Sequence, residues 1–211
     1  MSLEKIILVG GGGHCSSVID VLENTGKYII LGIVDEGSKK GQKINGYDII
    51  GSDDDLPLLS KQCDNFHISV GQIKSFVARQ SLFDTIKRLG AKLPVIIAKD
   101  AYVSSSVTLG EGTIIMQHAM VNANTIVGEN CIINTRALLE HDCEIGNDCH
   151  VSTGVILNGG VKVGNGVFIG SGSVVNQEVE IGTNCVIGSG SVVISDIEAD
   201  SSYMGNPAQK K

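Results

Sequence analysis

An acid–histidine–acid segment, Glu140-His141-Asp142, carries the residue types of a general base and its supporting carboxylate. Histidine changes charge near neutral pH, and an adjacent carboxylate fixes the ring tautomer and stabilises the imidazolium that forms on proton transfer. Leu139 and Cys143, on either side, hold inward positions of a repeat described below. The three residues between them are therefore predicted to lie on a corner outside the core, where His141 can act as a base.

Three other residues are alternatives to His141 for the chemical step. His150 also stands just outside an inward position, nine residues further on, whereas His118 is expected to be an ordinary surface histidine. A Cys143 acyl-enzyme would also transfer an acyl group. The inward position of Cys143 instead predicts a buried and inert thiol.

A glycine loop, formed by Gly10, Gly11, Gly12 and Gly13, lies between a predicted strand and a predicted helix. Backbone amides at a helix N-terminus can bind a phosphate. The dinucleotide pattern G-x-G-x-x-G fails because Cys15 stands at its third glycine, and the Walker Lys-Ser/Thr pair is missing from the loop. On these residues alone, a phosphate site and a tight structural turn are equally good interpretations.

Two acids, Asp35 and Glu36, follow the second predicted strand. Carboxylates at such a strand end can accept hydrogen bonds from ribose hydroxyls or from the edge of a nucleotide base. The alternative is that both are solvated surface acids.

The composition excludes several functional classes. The net charge of −7 argues against nucleic-acid binding, which usually needs a basic surface. No apolar run approaches the roughly 18 residues of a membrane span, and no signal peptide is expected because the chain leads directly into a strand. Cysteine spacing fits neither a metal site nor a disulfide framework, which predicts free thiols, no bound metal and a cytoplasmic location.

A six-residue period dominates the second half of the chain. Sixteen aliphatic residues stand six apart, and a small or slim residue precedes each by two positions. This period is incompatible with an α-helix and typical of a parallel β-helix, in which three hexapeptides make one coil. The aliphatic positions predicted to point inward are Val103, Leu109, Ile115, Val121, Val127, Ile133, Leu139, Ile145, Val151, Leu157, Val163, Ile169, Val175, Ile181, Ile187 and Val193.

The first half of the chain alternates strand and helix patterns, which predicts a small parallel sheet of Rossmann type. The predicted fold class is therefore an α/β Rossmann-like domain followed by a β-helix of hexapeptide repeats. The predicted domains are residues 1–98, residues 99–200 and a C-terminal tail of residues 201–211. The predicted N-terminal elements are strands at 5–9, 28–34 and 66–70, a helix at 15–24, a short helix after Ser52, and a helix between Ser75 and Gly90.

The hexapeptides, the Glu140-His141-Asp142-Cys143 segment, the Gly-His loop and the Gly205-Asn206-Pro207-Ala208 tail together resemble one family over nearly the whole chain. These are the bacterial nucleotide-amino-sugar N-acetyltransferases, which are left-handed β-helix acyltransferases. The family includes enzymes acting on UDP-4-amino sugars and on GDP-perosamine, and proteins described as sialic acid O-acetyltransferases.

The resemblance implies that His141 is the catalytic base and that Asp142 supports it. Asn134 and His150 are expected to line the acetyl and amine site, with Gly159 near the thioester carbonyl. The expected nucleotide-sugar residues are Gly11, Gly12, Gly13, His14, Asp35, Glu36, Gly71 and Asn134. The expected acetyl-coenzyme A residues are His150, Gly159, Gly170, Ser189, Gly205, Asn206, Pro207 and Ala208.

The implied reaction is direct transfer of an acetyl group from acetyl-CoA to the amine of a UDP- or GDP-linked 4-amino-4,6-dideoxy sugar, for surface glycan or glycoprotein synthesis. The implied assembly is a homotrimer with active sites between neighbours. One rival changes the acceptor to the hydroxyl of a sialic-acid-like sugar. Another makes the solenoid a scaffold without activity, although a scaffold needs neither the histidine segment nor the glycine loop. The tail could also be a plain cap on the last coil.

Overall fold

The computed structural model describes residues 3–211 and divides the chain into two compact units. The first unit comprises the described residues up to Gly71 together with Val77–Lys99. The second comprises Gln72–Phe76 and Asp100–Lys211. The domains predicted from the sequence are residues 1–98, 99–200 and 201–211, and nothing in the hexapeptide pattern indicated that Gln72–Phe76 joins the second unit. Residues 1 and 2 of the predicted N-terminal domain lie outside the described range.

The first unit contains β1 (Glu4–Val9), α1 (Gly13–Thr25), β2 (Tyr28–Val34), β3 (Lys43–Ile44), β4 (Tyr47–Gly51), α2 (Leu56–Leu59), β5 (Asn65–Ile68), α3 (Val77–Arg88) and β6 (Ile96–Ile97). In its described part, five strands form a sheet in the order β3-β4-β2-β1-β5. Strands β4, β2, β1 and β5 pair in parallel, and β3 pairs antiparallel with β4. The predicted Rossmann-like sheet is therefore present, with an additional hairpin at its edge.

This hairpin was not predicted from the sequence. Its turn is Asn45-Gly46, in which both residues have positive φ, 46° and 89°. Asn-Gly is the sequence signal of a two-residue hairpin turn, because both residues tolerate that backbone region. Short 3-10 segments at Gly37–Lys39 and Asp53–Asp55 flank the hairpin, and the second begins with the expected Ser52 cap.

The second unit is a solenoid of two-residue strands. They are β7 (Tyr102–Val103), β8 (Thr108–Leu109), β9 (Ile114–Ile115), β10 (Met120–Val121), β11 (Ile126–Val127), β12 (Ile132–Ile133), β13 (Leu138–Leu139), β14 (Glu144–Ile145), β15 (His150–Val151), β16 (Ile156–Leu157), β17 (Lys162–Val163), β18 (Phe168–Ile169), β19 (Val174–Val175), β20 (Glu180–Ile181), β21 (Val186–Ile187) and β22 (Val192–Val193). Each strand pairs in parallel with the strand 18 residues away, as Leu139 does with Leu157.

The strands stack into three sheets, which we name by their order along a coil. Face 1 contains β7, β10, β13, β16, β19 and β22; face 2 contains β8, β11, β14, β17 and β20; and face 3 contains β9, β12, β15, β18 and β21. We call the turns from face 1 to face 2 corner A, those from face 2 to face 3 corner B, and those from face 3 to face 1 corner C. Face 1 therefore lies between corners C and A.

Each corner from Gly112 to Gly190 contains one residue with a left-handed backbone conformation, always at the same position of the hexapeptide. Positive φ recurs at every sixth residue from Gly112 to Gly190. Most of these positions hold Gly, Asn or Asp, the residues that adopt this conformation at least cost. Asp142 is one of them, with φ 58°.

The predicted inward positions form the core of this unit. The repeated aliphatic side chains from Ile115 to Val193 are buried, as are the small residues beside them. Val103 and Leu109 are only partly buried because they belong to the first coil and pack against the core from one side. Cys131 and Cys149 stack as expected, with the amide of Cys149 3.4 Å from the sulfur of Cys131.

The tail continues the solenoid further than the sequence suggested. β23 (Ser202–Met204) pairs in parallel with β21, and β24 (Gln209–Lys210) folds back against β23. Tyr203 and Ala208 pack against the core, and the Ala208 amide donates to the carbonyl of Val192 over 2.8 Å. The tail thus covers the open end of the last coil.

Truncation after Ser202 should lower the melting temperature by roughly 5 °C or more, because it exposes apolar core that the tail covers. Differential scanning calorimetry measures this directly. An unchanged melting temperature in the truncated chain would show that the tail contacts contribute nothing to stability.

Candidate active site

His141 lies on corner A and is oriented by its neighbour. Its Nδ1 is 2.7 Å from Oδ2 of Asp142, and the two side chains are 63% and 57% exposed. Hydrogen bonds from His141 and then from Asn124 hold the pKa of Asp142 below its usual value, so the carboxylate accepts and Nδ1 carries the proton. Nε2 is therefore the ring nitrogen left to accept a proton from a substrate.

Gly159 lies directly against this ring, one coil further on. A Cβ at this position would stand 2.7 Å from both Cε1 and Nε2 of His141. The next amide, that of Gly160, donates to the carbonyl of His141 over 2.9 Å. The absence of a side chain at Gly159 thus leaves space for the imidazole and for a substrate at Nε2.

Cys143, two residues from the histidine, is unsuited to nucleophilic attack. It is fully buried in the solenoid core. Burial raises the pKa of its thiol to about 11, so almost none of it is thiolate at neutral pH. The geometry therefore favours proton transfer by His141 over an acyl-enzyme.

His150 is held by two hydrogen bonds of its own. Its Nδ1 is 2.7 Å from the carbonyl oxygen of Gln72, which can only accept, so Nδ1 carries the proton. Its Nε2 is 3.0 Å from Nδ2 of Asn134, from which it accepts. His150 is also 8% exposed and contacts Phe168 edge to face. These contacts favour a role for His150 in positioning Asn134 over a role as a second general base.

The predicted site residues of the solenoid fall into two groups. His141, Asp142 and Gly159 share corner A. Asn134, Gly170 and Ser189 belong to corner C, and His150 lies on the adjacent strand of face 3. A Cβ on Gly170 would meet the amide nitrogen of Ser189 at 2.5 Å, so those two residues stack on successive coils. Since face 1 lies between corners A and C, one chain does not bring the two groups together.

The tail residues of the predicted coenzyme A site follow face 3. Gly205 has φ 101° and its carbonyl accepts from Val192, while the Asn206–Pro207 bond is cis. Asn206 and Pro207 are exposed, whereas Ala208 is partly buried against the core.

In the first unit, the glycine loop is shaped by close contacts. A Cβ on Gly10 would meet Val70 at 2.3 Å, and a Cβ on Gly11 would meet Oδ2 of Asp35 at 2.5 Å. Gly12 caps helix α1 in an extended conformation, and open space faces both Gly12 and Gly13. The loop thus presents amides at a helix N-terminus, where anions bind.

Asp35 lines a cavity of about 490 Å³. Gly10, Glu36, Ser52, Asp53 and Asp54 are among the other residues that line it. Partial burial, and then the charges of Asp54 and Asp35, raise the pKa of Asp53. This acidic wall is suited to accept hydrogen bonds from hydroxyls or from base N–H groups.

Two other predicted residues of this unit, His14 and Gly71, lie beside the loop. A Cβ at Gly71 would stand 3.5 Å from the Cβ of His14, so any larger residue there would contact His14. Lys39 was missed by the sequence interpretation; its Nζ is 3.1 Å from Oδ2 of Asp35 and 3.5 Å from Oε2 of Glu36. The spacing of Asp35 and Lys39 at i and i+4 could have suggested this pair.

Two further features of the described residues bear on other classes of function. In residues 3–211, no helix has the length and apolar character that a bilayer crossing requires. Over the same range, no cluster of three or more His, Cys, Asp or Glu side chains is arranged to hold a metal ion.

The β-helix and its corner histidine define a hexapeptide-repeat acyltransferase. Its N-terminal domain is built on a parallel sheet of Rossmann type. Family models agree with both parts. The PglD N-terminal domain matches residues 5–86, and the bacterial transferase hexapeptide (six repeats) matches residues 124–159 and 160–195. A search of curated proteins finds no significant match.

Solved structures resemble the chain over its full length. A perosamine N-acetyltransferase from Caulobacter crescentus, crystallised with CoA and GDP-perosamine, is 33% identical, with a TM-score of 0.93, and the match covers 100% of this chain and 98% of that one. That structure carries Asn in place of one histidine, and a second has Ala in place of a histidine. The acetyltransferase domain of PglB from Neisseria gonorrhoeae, solved with acetyl coenzyme A, is 30% identical, with a TM-score of 0.92 and complete coverage of both chains.

The chain therefore belongs to the nucleotide-amino-sugar N-acetyltransferase family. The expected fold class, a Rossmann-like domain followed by a left-handed β-helix, is confirmed.

Proposed function

We propose that this protein transfers an acetyl group from acetyl-CoA to the amino group of a nucleotide-linked 4-amino sugar. The observation that carries the proposal is the arrangement at corner A, where Asp142 orients His141 and Gly159 leaves space at Nε2. Family membership and the ligands named for the relatives, CoA, acetyl-CoA and GDP-perosamine, support the same reaction.

In this mechanism the sugar amine attacks the thioester carbonyl directly. A new C–N bond forms, the C–S bond breaks, and coenzyme A leaves as the thiolate. Nε2 of His141 takes the proton that the amine loses, and the Asp142 carboxylate stabilises the imidazolium. We propose that a backbone N–H near Gly159 stabilises the oxyanion.

Turnover of acetyl-CoA should be measured by thiol release against a panel of UDP- and GDP-linked 4-amino-4,6-dideoxy sugars. Matched sugars that carry a hydroxyl in place of the amine belong in the same panel. We expect transfer to an amine with one nucleotide preferred. Transfer to the hydroxyl sugars instead would favour the O-acetyltransferase alternative, and no turnover with any member would contradict the proposal.

We propose that the acidic cavity and the glycine loop bind the nucleotide portion of the acceptor. The amides of Gly12 and Gly13 suit the diphosphate, and Asp35 suits a ribose hydroxyl or a base N–H. Asp35 is only 13% exposed, so a hydrogen bond made there is partly shielded from water.

Replacing Asp35 with Ala should raise the KM for the sugar acceptor by about tenfold, because a charge-assisted hydrogen bond is lost. The KM for acetyl-CoA should stay within twofold, since the donor binds to the solenoid. Steady-state kinetics with each substrate varied in turn separates the two constants. An acceptor KM that does not change would remove Asp35 from the nucleotide site.

We further propose that the protein assembles as a homotrimer in which corner A of one copy meets corner C of the next. The outward positions of face 1 are apolar on every coil: Tyr102, Met120, Leu138, Ile156, Val174 and Val192. On face 2 they include Glu144, Lys162 and Glu180, which suit contact with water. An apolar ladder of this length on a protein surface indicates a protein interface.

This assembly unites the two groups of site residues that one chain keeps apart. Acetyl-CoA would run between two solenoids, past Gly159 of one and Gly170 and Ser189 of the other, with the exposed Gly205, Asn206 and Pro207 and the partly buried Ala208 near its nucleotide end. Co-expression of His141→Asn chains with Asn134→Ala chains should restore activity, because hybrid trimers contain sites with both corners intact. Mixtures no more active than either variant, or a fully active monomer in light scattering, would contradict a shared site.

The same proposal places the protein in the cytoplasm, where acetyl-CoA and nucleotide sugars are made. The six cysteines, all within the described range, are unpaired and buried, which is compatible with that reducing compartment.

A further inference from the structure

A ladder of polar side chains supports the carboxylate beside the base. The Nδ2 of Asn124 donates to Oδ1 of Asp142 over 3.0 Å, while Oδ2 of the same carboxylate binds His141. Asn124 is itself held by the preceding coil, because its backbone amide donates to Oγ of Ser106 over 2.9 Å. The three ladder residues are 18 residues apart and stack on successive coils of corner A.

Both oxygens of the Asp142 carboxylate are thus used, one by the base and one by Asn124. An exposed carboxylate bound at one oxygen only can rotate about its side-chain bonds, whereas binding at both oxygens fixes its plane. The amide of Asn124 donates without a charge of its own, so it favours the ionised form of Asp142 that His141 requires.

The same Asn–Asp contact occurs elsewhere without a histidine beside it. Asn184 donates to Oδ1 of Asp200 over 2.8 Å, and Asn184 has φ 58° where Asn124 has φ 60°. Asp200 follows Ala199 in the sequence, whereas Asp142 follows His141. This second pair, on corner B, offers a control with a matched φ and the same Asn–Asp side-chain hydrogen bond.

We propose that Asn124 is a positioning residue of the acetyl-transfer site, acting through Asp142 to hold His141 in its Nδ1–H tautomer. The proposal rests on the function proposed above. In this role Asn124 acts through Asp142 and not on either substrate, so its effect should be on kcat and not on the binding of either substrate.

Replacing Asn124 with Gly removes the amide, and Gly accepts positive φ without strain. We expect kcat to fall roughly tenfold, with both KM values within twofold, because the carboxylate loses one of its two fixed contacts. Asn184→Gly should lower the melting temperature by a similar amount and leave kcat unchanged. Equal kcat losses in the two variants, or none in Asn124→Gly, would overturn the proposal.

A second measurement needs no substrate. In protein labelled with ¹⁵N-histidine and held at a pH where the ring is neutral, the ring-nitrogen shifts of His141 report the tautomer. We expect mainly Nδ1–H in the natural sequence and in Asn184→Gly, and a shift toward Nε2–H in Asn124→Gly. An unchanged tautomer in Asn124→Gly would overturn the role of Asn124, whereas failure of acetyl transfer by the natural sequence would overturn only the proposed function.

Discussion

The His141→Asn variant should lose at least about 10²-fold in kcat while keeping its fold and its affinity for acetyl-CoA, because the proposed general base is removed and little else changes. His141 is 63% exposed, so the substitution leaves no cavity in the core. Coupled thiol-release kinetics measure kcat, and circular dichroism checks the fold. Activity within a few-fold of the natural sequence would remove His141 from the mechanism.

A matched control for this variant lies on the same solenoid. His118 is also an exposed corner histidine, with Nε2 3.1 Å from Oδ2 of Asp100. His118→Asn keeps a residue that tolerates the local φ of 58° and should retain full activity. A comparable loss in both variants would indicate a general effect on the solenoid and not the loss of a base.

The solenoid could be predicted closely because its period is rigid. Each inward aliphatic must recur every six residues to meet its neighbour 18 residues away, so the sequence alone located the faces, the core and the corner that carries His141. The left-handed corner positions were not predicted from the sequence, although most of them hold Gly, Asn or Asp, as at Asn124 and Asp142.

The contacts that the sequence did not reveal depend on backbone groups or on the stacking of coils. The carbonyl of Gln72 binds His150 across 78 residues of chain, and any residue type could supply that oxygen. The division of site residues between corners A and C can be obtained by counting hexapeptides. That face 1 separates the two corners is known only from the arrangement of the three sheets. The tail was underestimated because β23 extends face 3 without keeping the six-residue repeat.

Gly159→Ala should lower kcat by about 10- to 100-fold, although it adds only a methyl group. The new Cβ would stand 2.7 Å from two atoms of the His141 ring, a distance that a real Cβ does not tolerate, so the ring must leave its place. A general base displaced by a fraction of an ångström or more loses its alignment with the substrate amine. Steady-state kinetics at saturating substrates, with a thermal melt to check folding, measures the effect.

The same methyl group should be harmless once the ring is gone. In the double variant His141→Asn with Gly159→Ala, the shorter Asn side chain leaves the space that the methyl needs, so kcat should equal that of His141→Asn alone. This non-additivity is expected of two residues that act through one contact. If Gly159→Ala instead cost the same factor in both backgrounds, Gly159 would act on the bound substrate or on the backbone N–H near the oxyanion, and not through the position of His141.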